Sequence, residues 1–318
     1  MKVCVIKTSS MGDVIHTLPA LTDAQKVIPN LSIDWVVEEN FSEIPRWHSA
    51  VKQIIPIALR RWRKSPFSAQ TKNEWKSYRT LLQANQYDSV IDAQGLFKSA
   101  FFATRLANGI KHGYDRKSIR EPIASFFYDK KYAISYQQHA VERIRQLFAQ
   151  SLGYKLPQVR GDYGIARHFL HQTLEKNYVV FIHSTTRADK HWEESEWQKL
   201  IEKITALSDY EIRLPWGNEQ EKARAERLAQ VHSNVIVLPK LTLTELAKQL
   251  ANAKAVVSVD TGLAHLTAAL DKPNITLYGA TDPTLIGCYG QNQHYLTANS
   301  MENIASDQVF SALNLLIK

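Results

Sequence analysis

Residues 255–283 constrain the chain most, because they spell out one complete strand–helix–strand unit. Ala255–Val259 is a short apolar run, the pattern of a strand buried on both faces. Asp260, Thr261 and Gly262 stop it, and Gly262 lets the backbone turn closely into a helix ending near Leu270. Asp271, Lys272 and Pro273 end that helix, and Asn274–Tyr278 returns as the next strand. A helix that starts at the carboxyl end of a parallel strand aims free N–H groups and a positive dipole end into the crevice there. That is a ready phosphate site. Thr261 adds a hydroxyl donor, and His265 lies about one turn into the helix. Taken alone, the turn reads first as Asp260 capping a helix and His265 as a satisfied polar residue, and only the rest of the chain shifts that balance.

The same alternation runs through the whole chain. Lys2–Lys7, Ile33–Val37, Ile54–Leu59, Tyr87–Asp92 and Gly109–Tyr114 read as strands in the first half. Between them fall helices through Asp23 and Lys26, over Asn73–Gln83 and over Leu96–Leu106, and Gln138–Leu152 closes the half. Gly153–Gly164, poor in apolar residues and holding Pro157, reads as an interdomain linker, with helix-like residues following to Leu174. Strands at Tyr178–His183, Glu211–Trp216 and Asn234–Leu238 follow, with helices near Ser195–Leu207 and from Thr242 to Ala251, where Glu245 completes a capping box. Met301–Ile317 is a last amphipathic helix. At 318 residues, two domains are expected, 1–155 and 170–300. The fold class is α/β, two doubly wound domains facing each other across a cleft. Neither half carries a Gly-x-Gly-x-x-Gly turn after its first strand, which argues against a dinucleotide oxidoreductase.

Charge narrows the partners. The net charge of +8 favours an anionic one: nucleic acid, an acidic lipid surface or a phosphorylated substrate. No nucleic-acid-binding motif, repeat or low-complexity tract is present. No apolar run approaches the ~18 residues needed to span a bilayer, and the chain enters its first strand without a signal-peptide pattern. With only Cys4 and Cys288, no disulfide framework is expected and a cytosolic location fits. No His/Cys cluster has metal-ligand spacing, so no metal or cofactor is expected.

Candidate functional residues gather at strand ends. Asp13 follows the first strand, after Gly12, either as a helix cap or as a carboxylate suited to general-base work. Arg60, Arg61, Arg63 and Lys64 surround Trp62 on a rim loop, where they either stay solvated or grip phosphates and carboxylates. Arg120 lies in a second basic loop, and His139 and Arg143 sit at i, i+4. Thr185, Thr186 and Lys190 lie in the loop after Tyr178–His183, read as the other wall of the phosphate pocket formed by Asp260, Thr261 and Gly262.

In this combination the chain resembles the bacterial lipopolysaccharide heptosyltransferases, the inverting enzymes of glycosyltransferase family 9. The resemblance rests on Lys7–Asp13 (KTSSMGD), Thr185 and Thr186 with Lys190–Trp192 (KHW), Leu214–Gly217 (LPWG), Ser258–His265 (SVDTGLAH) and Gly279–Pro283 (GATDP). It keeps motif order over essentially the whole chain. The Thr8–Asp13 loop, the Arg60–Lys64 run and Asp92–Leu96 (DAQGL) resemble the member that adds the first heptose of the inner core. Ala280 departs from the proline expected of relatives.

The resemblance implies a GT-B fold of two Rossmann-like domains, with the last helix, in residues 301–318, crossing back to the first. It implies ADP-L-glycero-β-D-manno-heptose as donor, the Kdo residue of Kdo2–lipid A as acceptor, and no structural metal. Asp13 would be the catalytic base. Thr185, Thr186, Lys190, Asp260, Thr261 and Gly262 would hold the diphosphate, with His265 beside the diphosphate or the sugar. Glu221 would bind the ribose, with Glu219 close enough to compete for that role. Lys64, with Arg60, Arg61, Arg63 and Arg120, would meet the acceptor, and His139 and Arg143 are further candidates. A monomer peripherally bound at the cytoplasmic face of the inner membrane, with no nucleic-acid partner, is the expected setting. A sister heptosyltransferase, a nucleotide-sugar epimerase of similar architecture and a non-catalytic nucleotide- or lipid-binding protein are the competing readings.

Overall fold

The computed structural model describes every residue except 170–176, 231, 280 and 318. The chain divides into two compact units, Met1–Gly164 and Ile165–Lys318. Ala280 and the stretch from Leu170 through Leu174 therefore lie outside the described residues.

The first unit is built on six strands: β1 (Lys2–Ile6), β2 (Ser32–Glu38), β3 (Val51–Ile57), β4 (Gln86–Asp92), β5 (Asn108–Tyr114) and β6 (Lys130–Tyr132). All pair in parallel, in the order β3-β2-β1-β4-β5-β6. Strand order reverses between β1 and β4, so a crevice opens beyond their carboxyl ends, where ligands bind in such sheets. The central strands are the ones buried on both faces, which is why β1 reads as an unbroken apolar run. Edge strand β6 has no such run and escapes sequence reading. Strand β3 ends at Ile57, two residues earlier than expected, because Leu59–Trp62 coils into a helical turn.

Helices cover both faces. Ala69–Gln83, capped by Ser68, buries Tyr78 and Leu82. The helix expected over Leu96–Leu106 stops at Phe102 and tightens into a 3₁₀ turn over Thr104–Leu106. Ala140–Leu152 starts one residue after His139, whose Nδ1 accepts the Val141 N–H as the cap. Gly153 ends it in the left-handed region that favours glycine.

The expected linker belongs to the first unit. Arg145, almost fully buried, donates to Asp23 at 2.6 Å, to both Glu142 oxygens, and to the carbonyls of Pro157 and Val159. All these acceptors are satisfied by one guanidinium fork. Gly161 packs so closely that a Cβ there would lie 2.8 Å from Pro19. Removing Arg145 leaves a buried carboxylate unpaired, so Arg145→Ala should cost about 3–5 kcal/mol. A urea midpoint unchanged by the substitution would contradict that role.

The second unit repeats the plan with β7 (Tyr178–Ile182), β8 (Glu211–Leu214), β9 (Val235–Val237), β10 (Ala255–Val259), β11 (Asn274–Tyr278) and β12 (Gln293–Thr297). The order is β12-β11-β10-β7-β8-β9, all parallel, with the reversal between β7 and β10. Strands β10 and β11 have the bounds expected from sequence, whereas exposed edge strand β12 was unforeseen. Phe181, Trp192 and Trp197 form the aromatic centre of this unit's core. The last helix, Ser306–Ile317, sets Val309 and Leu313 in that same core. This corrects the expectation that it crosses back to the first unit: its apolar face packs beside the helix Glu194–Leu207 and strands β10 and β11.

Three of the buried histidines give the fold an acid limit. Burial pushes His48, His112 and His183 down from 6.5 to about 4. His48 Nδ1 accepts the Ala50 N–H, so its Nε2–H faces the Thr22 hydroxyl, a neutral tautomer. Between pH 6.5 and about 4 the unfolded chain binds protons that these folded side chains refuse. Their contribution to stability is complete above pH 6.5 and is lost as pH falls toward 4. Urea midpoints should fall over that interval, and His48→Gln should flatten the curve.

Candidate active site

In the first unit the loops after β1 and β4 meet at the switch point. Gln94, after β4, accepts the backbone N–H groups of Thr8 (2.9 Å) and Ser9 (3.1 Å) on its side-chain oxygen. Gln94 is held in turn by buried Asp92, which accepts the N–H groups of Gln94 and Gly95 and the Thr104 hydroxyl. Burial nonetheless raises the Asp92 carboxyl. This scaffold fixes the loop that carries Asp13.

Asp13 is the third residue of the helix Met11–Ile15, and the cap is Ser10, not Asp13. Asp13 Oδ2 accepts the Ser10 N–H (2.9 Å) and the Ser10 hydroxyl (3.0 Å). Its Oδ1 lies 3.6 Å from Nζ of Lys7, a buried lysine that also donates to the Ala93 carbonyl at 2.9 Å. The Asp13 side chain is 46% exposed, so one edge of an oriented carboxylate meets solvent. An accessible, fixed carboxylate can accept a proton from a hydroxyl. Lys7 and Gln94 stand inside the KTSSMGD and DAQGL stretches, but neither showed a role of its own in the sequence, because those roles arise only where β1 and β4 lie side by side.

Beside this loop lies a cavity of ≈ 1100 Å³. Arg60, Arg61, Arg63 and Lys64 all line it, joined by Lys72 and Lys98 on two helices. Arg61 is engaged: it pairs with Glu39 at 2.9 Å and with Glu74 at 2.9 Å. Glu74 also accepts the Trp62 indole N–H at 2.6 Å, and that bond leads the causes that hold its carboxyl low. Arg63 and Lys64 are exposed, and Arg60 lies over the Phe41 ring at 5.5 Å. Arg120 is exposed in the loop after β5 and is not part of this lining. Arg143 is turned away toward Tyr136 (4.1 Å) and the Ser118 carbonyl (2.8 Å). The cavity is therefore basic at its rim and aromatic within, through Trp62, Trp75 and Phe102.

In the second unit the loops after β7 and β10 meet at the other switch point. Lys190 forms a salt bridge with Asp260 there, both largely buried, and the Thr185 hydroxyl donates to the Asp260 carbonyl at 3.4 Å. Thr261 keeps extended backbone and opens the helix Gly262–Ala269, so the first N–H groups and the positive dipole end emerge beside Lys190. His265 is buried one turn along that helix, and Thr186 is exposed on the facing loop. A lysine, a helix N-terminus and two threonine hydroxyls are groups of the kind that can hold a diphosphate.

Arg224 organises the facing loop. It donates to His191 Nδ1 and to the Trp192 carbonyl. Because Arg can only donate, His191 Nδ1 accepts, and its Nε2–H donates to the Thr185 carbonyl at 2.8 Å. Arg224 sits inside the helix Glu219–Ala229, where it reads as one more surface cation. Of the two glutamates left open for a ribose, Glu221 is half-buried and closes the Leu214–Gly217 loop by accepting the Gly217 N–H at 2.7 Å and the Asn218 amide at 2.9 Å. Glu219 is exposed.

The model of glycosyltransferase family 9 (heptosyltransferase) matches residues 75–312. Lipopolysaccharide heptosyltransferase 1 of Salmonella typhimurium is 58% identical over 318 residues, covering 99% of this chain and 100% of the relative. The Pseudomonas aeruginosa protein of the same name is 50% identical, over 93% of this chain and 83% of its own. The structure of E. coli heptosyltransferase WaaC with ADP superposes with a TM-score of 0.97 at 56% identity, covering 99% of this chain and 100% of the other. Two parallel sheets, each with one reversal of strand order, are thus the GT-B plan of these enzymes. The chain belongs to glycosyltransferase family 9, the heptosyltransferases.

Proposed function

We propose that the protein moves L-glycero-D-manno-heptose from ADP-L-glycero-β-D-manno-heptose to the Kdo residue of Kdo2–lipid A, with inversion at the anomeric carbon. The observation that carries this reading is the Lys190–Asp260–Thr261 cradle in a chain 56% identical to a heptosyltransferase solved with ADP and with ADP-2-deoxy-2-fluoro heptose. The acceptor hydroxyl attacks the anomeric carbon as the bond to the ADP β-phosphate oxygen breaks. Asp13 takes the hydroxyl proton, and ADP leaves with the bonding electron pair. Negative charge grows on the diphosphate in the transition state, so stabilising it is the main electrostatic task. Lys190, Thr185, Thr186 and the N-terminus of Gly262–Ala269 perform it, with His265 alongside and Glu221 or Glu219 at the ribose.

The cations of the first unit's cavity, Lys64 with Arg60, Arg61 and Arg63, hold the anionic acceptor, and Arg120 reaches it from the loop after β5. Lys64→Ala should raise acceptor KM by about 10–100-fold, the worth of one charged hydrogen bond, and leave donor affinity unchanged. A defect confined to the donor would remove Lys64 from that place. We further propose a monomer bound peripherally at the cytoplasmic face of the inner membrane. Among the described residues no helix is long and apolar enough to cross a membrane.

The test is ADP release from the purified protein given ADP-heptose, with and without Kdo2–lipid A. Release only with both, and a product heavier by one heptose, supports donor and acceptor together. Release without acceptor, or none with it, overturns the reading. The same assay in EDTA tests the further point that no divalent cation takes part.

A further inference from the structure

The first unit carries an aromatic ridge that its core does not use. Ile123 is 54% and Phe126 71% exposed on the 3₁₀ turn Pro122–Phe127, and Phe97 is exposed beside them. The ridge is built, not frayed: Phe97 stacks on Phe101 at 5.4 Å, and Phe127 lies 6.1 Å from Phe97. Glu121 accepts the Phe97 N–H at 2.7 Å, tying turn to helix.

Cations flank it along the chain. Arg116, Lys117 and Arg120 precede the turn, Lys130 and Lys131 follow it, and all are exposed. Arg105 lies over the Phe101 ring at 3.6 Å. Three carboxylates lie among them, Glu121, Asp129 and Asp115, each held by backbone N–H groups, so the cations outnumber them two to one. The ridge is also continuous with the basic cavity, because Leu96, Lys98 and Phe102 of the same segment line that cavity. Phe67 stands 85% exposed next to Pro66, another lining residue.

We propose that this ridge docks the protein on an anionic lipid bilayer, with Phe97, Ile123 and Phe126 entering the headgroup boundary. Protruding apolar side chains ringed by Lys and Arg suit that surface. A protein interface would instead deplete lysine at its centre. The inference rests on the proposed lipid acceptor: an enzyme whose acceptor stays in a membrane must bring its cavity to the bilayer surface.

The experiment is cosedimentation with vesicles of phosphatidylcholine alone, and of phosphatidylcholine with phosphatidylglycerol, at low and high salt. The wild type should bind the anionic vesicles, and salt should weaken binding. Ile123→Ser with Phe126→Ser should weaken it by about tenfold or more, since burying the exposed parts of the two side chains is together worth at least that factor. Thermal stability, and transfer to a water-soluble deacylated acceptor, should stay unchanged in that variant. Equal vesicle binding by wild type and variant overturns the proposal, as does wild-type binding to neither vesicle. A wild-type dimer dissolved by the same substitutions overturns it in favour of a second copy. Heptose transfer is scored separately, so failure to dock is distinguishable from failure of the proposed activity.

Discussion

Asp13→Ala should lower turnover by about 10²–10⁴, the usual cost of losing a positioned general base. ADP affinity should stay within about twofold, because a residue acting only on the acceptor proton gives nothing to ground-state donor binding. The expectation comes from the side chain's divided use. One carboxylate oxygen is fixed by the Ser10 N–H and hydroxyl, and the other lies near Lys7 at an exposed edge. Asp13→Asn is the sharper variant, because it keeps the shape but cannot take a proton. If the Asp13→Asn enzyme turned over at the wild-type rate, with ADP titration also unchanged, Asp13 would serve the helix N-terminus alone. Loss of folding is the competing explanation for any defect, and the urea midpoint of each variant separates it.

Lys190→Ala should cost about 10²–10³ in turnover, as removal of one preorganised donor to a developing anion does. Here ADP affinity should fall as well, since the diphosphate is charged before and after transfer. The substitution acts twice. It removes a cation beside the N-terminus of Gly262–Ala269, and it leaves Asp260 without its ion-pair partner in a largely buried place. Asp260→Asn separates these effects, because it frees the Lys190 ammonium from its carboxylate while keeping the cation. Tighter ADP binding by the Asp260→Asn enzyme, together with weaker binding by the Lys190→Ala enzyme, fits Lys190 as a phosphate ligand. Wild-type ADP affinity in Lys190→Ala would exclude that role and leave the pair as a structural brace.

The sequence determined the α/β class, the two-unit plan and the bounds of β10 and β11, because central parallel strands are buried on both faces and must read as apolar runs. It also located the loops where Asp13, Lys190 and Thr261 lie, because glycine and hydroxyl residues punctuate the strand-to-helix turns. Edge strands β6 and β12 were illegible, since a half-solvated strand needs no apolar pattern. The last helix had a legible amphipathic face, but amphipathicity does not name its partner, and its core lies in the second unit. Only tertiary structure decided which polar residues act together. Lys7, Gln94 and Asp92 join Asp13 because strand order reverses between β1 and β4, and Lys190 meets Asp260 because it reverses between β7 and β10. Arg224 reaches His191 across 33 residues of chain because the consecutive strands β7 and β8 lie side by side. Local sequence sets dihedrals and burial, whereas a pairing across strands exists only once hydrophobic burial has fixed their order.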